Sequence, residues 1–452
     1  MSTLTYQYQA PSSIKTTTSG REMQLSACLP STNKEQTQNS PCFFWGKLTD
    51  PFLTAKCLLT LSNIVAARYY IHPNASHFLK DPIVTADGKQ LRFEGFSSCC
   101  GIYGRLDVLP NGLDGEFLAT GTTNVDFNAP MQSALGGIRK SEQVVMSVGS
   151  KEISLQKLGD DKVVEKKVPL PIRWIKGLSA VQFYLSEVEE KCKFTRIQII
   201  KLFARIPKGR NLKADYYLTY KGGQPRFSPI KTKGAICIGG VERLQLLKDV
   251  SRYAKKMSVF ADEAEQVTVW QLEFDKMRFT LALSRETWRG FSGEGKGLEA
   301  LQADIDDDWL VKMKQYCKVN QSFNSTLLAI EENMEFSTVD QLTAKLAAMG
   351  LLGFDLVENA FFYRELPFKM DRIQKLNPRL KGVEKLLADP KSIEILNQKD
   401  GLIEAKVKGT DVWHRVQLQD ETARCTCPWY SKHQGERGYC KHILATKKYI
   451  AQ

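Results

Sequence analysis

Apolar residues recur along most of the chain at spacings that predict a mixture of helices and strands. Leu53–Tyr70 has helical spacing, whereas Lys89–Phe96 and Gly101–Leu109 alternate between apolar and polar residues as strands do. Residues 211–284 have mostly strand patterns, with one helix near 241–254. These mixed signals predict an α+β fold.

Residues 172–206 have the spacing of helices. Within that stretch one apolar stripe is predicted to face the core, formed by Ile197, Ile200, Phe203 and Ala204. Upstream, Met146–Val164 has the pattern of a β-hairpin that turns at Gly159 and Asp160.

Residues 301–366 predict a winged-helix-like unit. Ser337 can cap a helix whose apolar positions are Val339, Leu342, Leu346 and Met349, and Gly350 can end it. A short hairpin of Leu351–Val357 and Phe361–Leu366 would follow as the wing, with helices upstream at 302–317 and 325–333. Such units read DNA or bind proteins, so the pattern leaves both roles open.

At 452 residues the chain is too long for one hydrophobic core, so several domains are expected. We expect a polar N-terminal arm (1–40), an α+β body (41–300), the winged-helix-like unit (301–366), a charged helical connector (367–400) and a C-terminal zinc finger (401–452). No apolar run is long enough to cross a membrane, and the N-terminus lacks a secretory signal. The scattered cysteines do not form a disulfide framework, so a cytoplasmic location is expected.

Positive charge is concentrated in one window of the sequence. The chain has a formal net charge of +13, and residues 191–233 contain twelve Lys or Arg against one acid, Asp215. Tyr216, Tyr217 and Tyr220 lie among these charges. Basic residues interleaved with aromatic ones suit a nucleic acid, and a basic surface also suits an acidic protein partner. The candidate contact residues are Lys201, Arg205, Lys208, Arg210 and Lys213.

Four residues near the C-terminus form a complete set of zinc ligands: Cys425, Cys427, Cys440 and His442. Cys425 and Cys427 are two residues apart, so at a strand end they can grip one ion from the same side. On a regular helix, side chains two positions apart point in directions that differ by about 200°. Cys440 and His442 must therefore lie at the start of a helix to bind one ion. Four protein ligands leave no position for a substrate, so we expect one structural zinc ion.

The surroundings of these ligands predict a small ββα-type unit. A hairpin-like stretch over 403–418 runs into the first Cys pair, and a helix is predicted over Ile443–Ile450. His414 and His433 lie close enough in sequence to replace a ligand or to bind nothing. The candidate partner-binding residues of the unit are Arg424, Trp429, Lys432, Arg437 and Lys441.

The Cys-x-Cys and Cys-x-His pairs resemble the SWIM zinc finger. Phrases in the body, among them Phe96–Gly101 and Trp288–Gly295, resemble a family of bacterial SWIM zinc finger proteins, and the similarity runs from about residue 42 to the C-terminus. This resemblance implies a non-enzymatic zinc protein associated with MoxR-type AAA+ ATPases and von Willebrand A-domain proteins. The first hypothesis is therefore an adaptor that makes protein contacts, and the alternative is a nucleic-acid-binding protein.

Two other motifs give little support to an enzyme with a small-molecule substrate. Gly290–Gly297 matches a P-loop except at its last position, where Gly297 lacks the hydroxyl group that holds magnesium. Cys99 and Cys100 would face opposite sides of a strand, so they could not act in one pocket. We therefore expect no catalytic residues.

Overall fold

We obtained a computed structural model of the chain. It describes residues 5–8, 13–17, 20–26, 28–30, 42–69, 82–124, 129–149, 168–169, 172–209, 212, 214–286, 290–292, 305, 307–366, 378–399, 401–410, 412–419, 422–434 and 439–450.

The chain divides into two compact units. The first unit contains Met1–Ser292, Cys317–Phe323 and Gly350–Pro367. The second unit contains Gly293–Tyr316, Asn324–Met349 and Phe368–Gln452. Both units mix helices and sheets, as the sequence predicted.

Strands predominate in the first unit. Its helices are Pro51–Ala66 (α1), Ala129–Gly136 (α2), Ile172–Glu187 (α3), Arg196–Phe203 (α4) and Lys248–Ser251 (α5), with 3₁₀ turns at Pro110–Gly112, Val241–Leu247 and Gly290–Ser292. Its strands are Thr5–Tyr8 (β1), Ser13–Thr17 (β2), Gly20–Ser26 (β3), Cys28–Pro30 (β4), Cys42–Leu48 (β5), Ile83–Ala86 (β6), Leu91–Phe96 (β7), Ile102–Val108 (β8), Leu113–Phe117 (β9), Gly121–Asn124 (β10), Val144–Gly149 (β11), Val168–Pro169 (β12), Glu189–Thr195 (β13), Tyr216–Lys221 (β14), Gln224–Ser228 (β15), Ile236–Ile238 (β16), Lys256–Ala261 (β17), Val267–Glu273 (β18), Met277–Ser284 (β19), Ser322–Phe323 (β20), Leu352–Asp355 (β21) and Ala360–Tyr363 (β22).

An eight-stranded sheet forms the centre of this unit. Its strand order is β10-β6-β7-β8-β19-β18-β17-β13, and all of its neighbouring strands are antiparallel. Helix α1 packs on one face, where Leu61 and Ile64 lie against Gly104. The other sheets have the orders β2-β3-β11-β5-β9, β15-β14-β16, β12-β1-β4 and β20-β22-β21.

The prediction that one apolar stripe within residues 172–206 faces the core is wrong in part. The segment is helix, strand and helix, and α4 buries Ile199, Leu202 and Phe203. Ile197 is 65% exposed and Ile200 is 45% exposed. Because isoleucine occurs at 197, 199 and 200, the apolar pattern of this short helix matches more than one face.

Buried charges hold the hairpin β21–β22 against the sheet. Arg364 pairs with Glu94, and both side chains are fully buried. Asp355 accepts hydrogen bonds from Arg278 at 3.3 and 3.0 Å. The Arg105 guanidinium donates to the Phe354 carbonyl at 2.6 Å. The hairpin is therefore part of the first unit.

The winged-helix-like unit is not confirmed. The predicted helix exists as Phe336–Ala348 and the predicted hairpin exists as β21–β22, yet they belong to different compact units. A third short strand, β20, pairs with β22. Residues that bind the hairpin lie far away in sequence, as with Glu94 and Arg364 at a separation of 270, so local patterns could not reveal them.

The second unit ends in a small sheet covered by helices. Its helices are Asp307–Asn320 (α6, whose last residues belong to the first unit), Ser325–Glu331 (α7), Phe336–Ala348 (α8), Pro378–Ala388 (α9), Pro428–His433 (α10) and Lys441–Ile450 (α11). Its strands are Ile393–Lys399 (β23), Leu402–Lys408 (β24), Trp413–Gln419 (β25) and Thr422–Cys425 (β26), paired in that order. The helical connector predicted over 367–400 thus ends in a strand of this sheet.

Some predictions fall on residues outside the described part of the chain. They include most of the Met146–Val164 hairpin, most of the P-loop-like stretch, and the candidate contact residues Arg210, Lys213 and Arg437. The N-terminal 40 residues are described only as strands β1 to β4. Among the helices that the structure describes, none has the length and apolarity needed to cross a membrane.

Candidate metal centre

The four predicted ligands come from three neighbouring pieces of the chain. Cys425 is the last residue of β26, and Cys427 caps the N-terminus of α10. Cys440 directly precedes α11, and His442 is the second residue of that helix. The second pair therefore lies at the start of a helix, where the sequence required it.

The donor atoms converge on one point. The three sulfurs and one ring nitrogen all lie within 4.8 Å of one another. His442 Nδ1 is 3.8 Å from Cys425 Sγ and 3.9 Å from Cys440 Sγ. Tetrahedral zinc, with bonds of about 2.3 Å to sulfur and about 2.0 Å to nitrogen, places its ligand atoms about 3.5–3.8 Å apart. The arrangement therefore fits a zinc ion.

The ligands belong to the hydrophobic core of this unit. Cys425, Cys427, Cys440 and His442 are 6%, 2%, 1% and 4% exposed. They pack in one cluster with apolar residues of the sheet and of α11, among them Val416 and Ile443. Since this cluster is small, a bound ion would supply much of the stability of the fold.

Hydrogen bonds from the backbone reach two of the sulfurs. Tyr430 N–H donates to Cys427 Sγ at 3.4 Å, and Ile443 N–H donates to Cys440 Sγ at 3.5 Å. The pKa of the Cys427 thiol is lowered, chiefly because the Cys425 and Cys440 thiols donate hydrogen bonds to it. Hydrogen bonds to Cys427 and Cys440 raise the pKa of Cys425. A hydrogen bond with Cys425 lowers the pKa of Cys440, but its hydrogen bond to Cys427 and its burial outweigh that effect and raise the pKa to about 11. A dication would favour the thiolate form of all three.

The other two histidines of this region lie beside the ligand set and outside it. The His414 ring packs against the His442 ring with 4.5 Å between centroids. The His433 ring packs on Trp429 at 4.6 Å. Burial lowers the pKa of His414, and the nearby His442 lowers it further. Both side chains therefore act as packing partners in this geometry.

One residue that the sequence did not single out joins the unit through α9. The Arg379 guanidinium lies 4.7 Å from the Trp429 ring centroid and donates to the Tyr439 carbonyl at 2.7 Å. Arg379 is only 6% exposed. Its position in the predicted connector gave no local signal, because both partners lie at least 50 residues further along the chain.

The remaining candidate contact residues are placed as follows. In the second unit Arg424 and Lys432 are exposed, whereas Trp429 and Lys441 are half-buried. In the first unit Lys201 is exposed on α4, and Arg205 and Lys208 are exposed just after it. Among these residues, Trp429 and Lys441 line one cavity beside the metal centre, and the described contacts do not join all of them into a single site.

The adjacent residues Cys99 and Cys100 of the first unit do not lie on a strand as predicted. Cys99 and Cys100 are buried in a turn between β7 and β8, where Cys100 has a φ of 56°. Ser97 Oγ lies 3.3 Å from Cys99 Sγ. Despite its burial, the pKa of Cys99 is lowered by hydrogen bonds from Ser97 and from the backbone and by the nearby Arg243 charge.

Comparison with solved structures finds weak similarities. The proliferating cellular nuclear antigen of Entamoeba histolytica is 8% identical, with a TM-score of 0.34 and coverage of 54% of this chain and 99% of that chain. The PCNA2–PCNA3 complex of Sulfolobus tokodaii gives the same identity, TM-score and coverage. No curated protein matches the chain.

Comparison with protein families gives a match at the C-terminus. Residues 414–451 match the SWIM zinc finger. The matched segment includes the four buried donor residues, whose geometry fits a metal ion. This part of the chain is therefore a SWIM zinc finger.

Proposed function

We propose that the protein is a non-enzymatic adaptor whose SWIM finger is held by one structural zinc ion and makes contacts with a protein partner. The observation that carries the zinc assignment is the convergence of four buried donor atoms within 4.8 Å. A filled four-ligand shell offers no open position for a substrate, so the ion would stabilise the fold.

Removal of one ligand tests the structural role. Cys440→Ser should lower the zinc content from one ion per chain towards none, because serine is a poor zinc ligand. Residues 401–452 should then become sensitive to limited proteolysis, while the first unit stays resistant. Cys192→Ser is the matched control, because Cys192 lies half-buried on β13 in the other unit.

The outcome that would overturn the structural role is simple to recognise. A Cys440→Ser protein that keeps full zinc content and full protease resistance over residues 401–452 would show that the ion does not hold this unit together. Equal zinc loss in Cys192→Ser would indicate a general folding defect.

Apolar exposure on the finger supports a protein partner. Val412 is 59% exposed and Trp413 is 43% exposed on the turn and strand next to the metal centre. Exposed aromatic and aliphatic side chains beside charged ones are typical of protein interfaces. By family resemblance we propose MoxR-type AAA+ ATPases and von Willebrand A-domain proteins as the partner classes.

A second candidate function is nucleic-acid binding, which the basic window favours. Lys201, Arg205 and Lys208 are exposed, and Tyr220 is 56% exposed on the neighbouring strand β14. Cations and an aromatic ring on one unit suit a phosphate backbone with stackable bases.

Salt dependence separates the two functions. Fluorescence anisotropy would follow the zinc-loaded protein against single- and double-stranded DNA and RNA at two salt concentrations. Tight binding that falls steeply with salt, and that weakens on charge reversal at Lys201, Arg205 and Lys208, would support nucleic acid. Absence of binding at low salt would exclude it and leave the basic window to an acidic protein.

A further inference from the structure

Helix α4 of the first unit presents an exposed apolar stripe between cations. Ile197 is 65% exposed and Ile200 is 45% exposed, and Ala204 is exposed just after the helix. At about 100° per residue, these three side chains project to one side of the helix. By the same spacing, the exposed cations on the two flanks of this stripe are Arg196 on one side and Lys201 and Arg205 on the other. These six residues are called the basic face.

The cations of the basic face are not neutralised within the described part of the chain. Residues 191–214 contain eight Lys or Arg and no Asp or Glu. Two lysines of β13 pair with acids of the same strand. Among the described residues, Arg196, Lys201 and Arg205 have no ion-pair partner. A partner with exposed carboxylates would therefore meet unpaired positive charge on this face.

The helices α7 and α8 of the second unit surround a second apolar patch with the opposite charge. Leu327 and Ile330 lie three residues apart on α7 and are 57% and 64% exposed. Phe336, at the start of α8, is 53% exposed. The exposed carboxylates next to these residues in sequence are Glu331, Glu332 and Glu335. These six residues are called the acidic face.

The acidic face is as one-sided in charge as the basic face. Residues 319–344 contain four Asp or Glu and no Lys or Arg. The three glutamates of the face have no ion-pair partner among the residues that the structure describes. The turn between the two helices is held by Met334 N–H, which donates to the Ala329 carbonyl at 2.9 Å. The acidic face is therefore formed by ordered backbone.

We propose that the basic face of one copy of this chain binds the acidic face of a second copy. The isoleucines of α4 pack on Leu327, Ile330 and Phe336, and the flanking cations pair with the three glutamates. Because the two faces differ, the contact is head-to-tail, and successive copies form a ring or an open chain. This inference goes beyond the proposed function, since neither face contains a residue of the finger.

Charge and apolar content together favour a second copy over other occupants. Contact of either face with itself would bring like charges together, which disfavours a symmetric dimer through one face. A nucleic acid would match the cations of the basic face. It would leave Ile197 and Ile200 against phosphates, because bases stack on aromatic rings and not on aliphatic side chains. The acidic face of this chain supplies both the opposite charge and an apolar centre.

Sedimentation velocity of the full-length protein tests the proposal. The sedimentation coefficient should rise with protein concentration between about 1 and 100 µM, the range of weak specific contacts between proteins. Association should weaken as salt is added, because the pairs at the edge of the contact are exposed to solvent. A protein that sediments as a single chain throughout this range would overturn the proposal.

Two variants that each disrupt one face identify the contact. Ile200→Glu places a negative charge in the basic face, and Ile330→Lys places a positive charge in the acidic face. Each variant alone should self-associate at least about tenfold more weakly than wild type. An equimolar mixture should form a one-to-one heterodimer, because each variant retains the face that the other has lost. A mixture that stays monomeric, or single variants that associate like wild type, would overturn the proposal.

Matched substitutions at other exposed apolar positions control for a general effect of charge. Leu118 is 60% exposed in the first unit, and Val412 is 59% exposed in the second unit. Leu118→Glu and Val412→Lys should associate like wild type. Equal weakening in these controls would overturn the assignment of the contact to α4, α7 and α8.

Nuclease treatment and zinc removal separate the remaining explanations. Oligomers that nuclease dissolves would be bridged by nucleic acid, and this result would overturn the proposal. Cys440→Ser should retain self-association, because both faces lie outside residues 401–452. Loss of self-association in Cys440→Ser would place the contact in the finger and contradict the proposal. The zinc content of the wild-type protein tests the proposed function separately.

Discussion

Replacement of Arg364 by methionine should destabilise the hairpin β21–β22. Arg364 pairs with Glu94, and both side chains are fully buried. The same guanidinium donates to the Leu178 carbonyl at 2.9 Å, and Tyr103 donates to Glu94. Loss of one partner from a buried pair costs about 3–5 kcal/mol, because the remaining charge stays in an apolar environment.

Hydrogen exchange of strand β22 measures this cost. A loss of about 3–5 kcal/mol corresponds to a fall of roughly 10²- to 10⁴-fold in the protection of its amides. Arg285→Met is the matched control, because the Arg285 and Asp215 side chains are 35% and 45% exposed, and such surface pairs contribute about 0–1 kcal/mol. The double variant Arg364→Met/Glu94→Gln should recover part of the protection.

The pH dependence of the destabilisation by Arg364→Met tests whether the unpaired Glu94 carboxylate causes it. Burial alone would raise the pKa of Glu94, but Arg364, Tyr103 and Arg105 lower it below its ordinary value. Its contribution to stability is therefore fully present above the unfolded pKa and is lost as pH falls through the lower folded pKa. In Arg364→Met the carboxylate loses its main partner, so the difference from wild type should shrink as pH approaches 4.

Two results would refute this reasoning. One is unchanged protection of β22 in Arg364→Met. The other is an equal loss in Arg285→Met, which would mean that burial of the pair is unimportant.

Two further substitutions test packing in each unit. Gly353→Ala should lower the hydrogen-exchange protection of β22 by about 1–3 kcal/mol, because the Phe362 ring lies across Gly353 and leaves no room for a methyl group. The added methyl group would push the ring away from Arg92, whose guanidinium lies 4.0 Å from the ring centroid. Unchanged exchange of β22 would contradict this contact. Arg379→Ala should lower protection of the finger by about 2 kcal/mol, since it removes the stacking on Trp429 and the bond to the Tyr439 carbonyl. Arg379→Lys should rescue only part of that loss, and complete rescue would show that charge alone is needed.

The metal ligands could be predicted from the sequence because the information is local. All four lie within 18 residues, and the strand end and helix start that orient them have short-range signals. Local periodicity also predicts strands within residues 211–284 and a helix over Leu53–Tyr70, and the structure confirms them, for example as β18, β19 and α1.

The burial of both faces of strand β7 could not be predicted from local periodicity. Arg92 and Glu94 alternate with Leu91 and Phe93 along β7, a pattern typical of a strand with one face in solvent. All six residues of β7 are nevertheless buried. Ion pairs to Asp355 and Arg364, more than 250 residues away, compensate the charges, and no local pattern records such partners.

The strand β23 was missed for a different reason. Its residues Ile393 and Ile395 flank Glu394, but Leu396 interrupts the alternation and the segment follows a helical, highly charged stretch. Its burial depends on pairing with β24, where Ile393 lies opposite Val407. Strand formation here comes from the sheet and not from the propensity of the segment.

X-ray absorption at the zinc edge of the purified protein tests the central claim most directly. The account predicts one zinc ion with three sulfur ligands at about 2.3 Å and one nitrogen at about 2.0–2.1 Å. A wild-type protein that binds no zinc, or a zinc site with fewer sulfurs and an added oxygen ligand, would contradict a closed structural centre formed by Cys425, Cys427, Cys440 and His442.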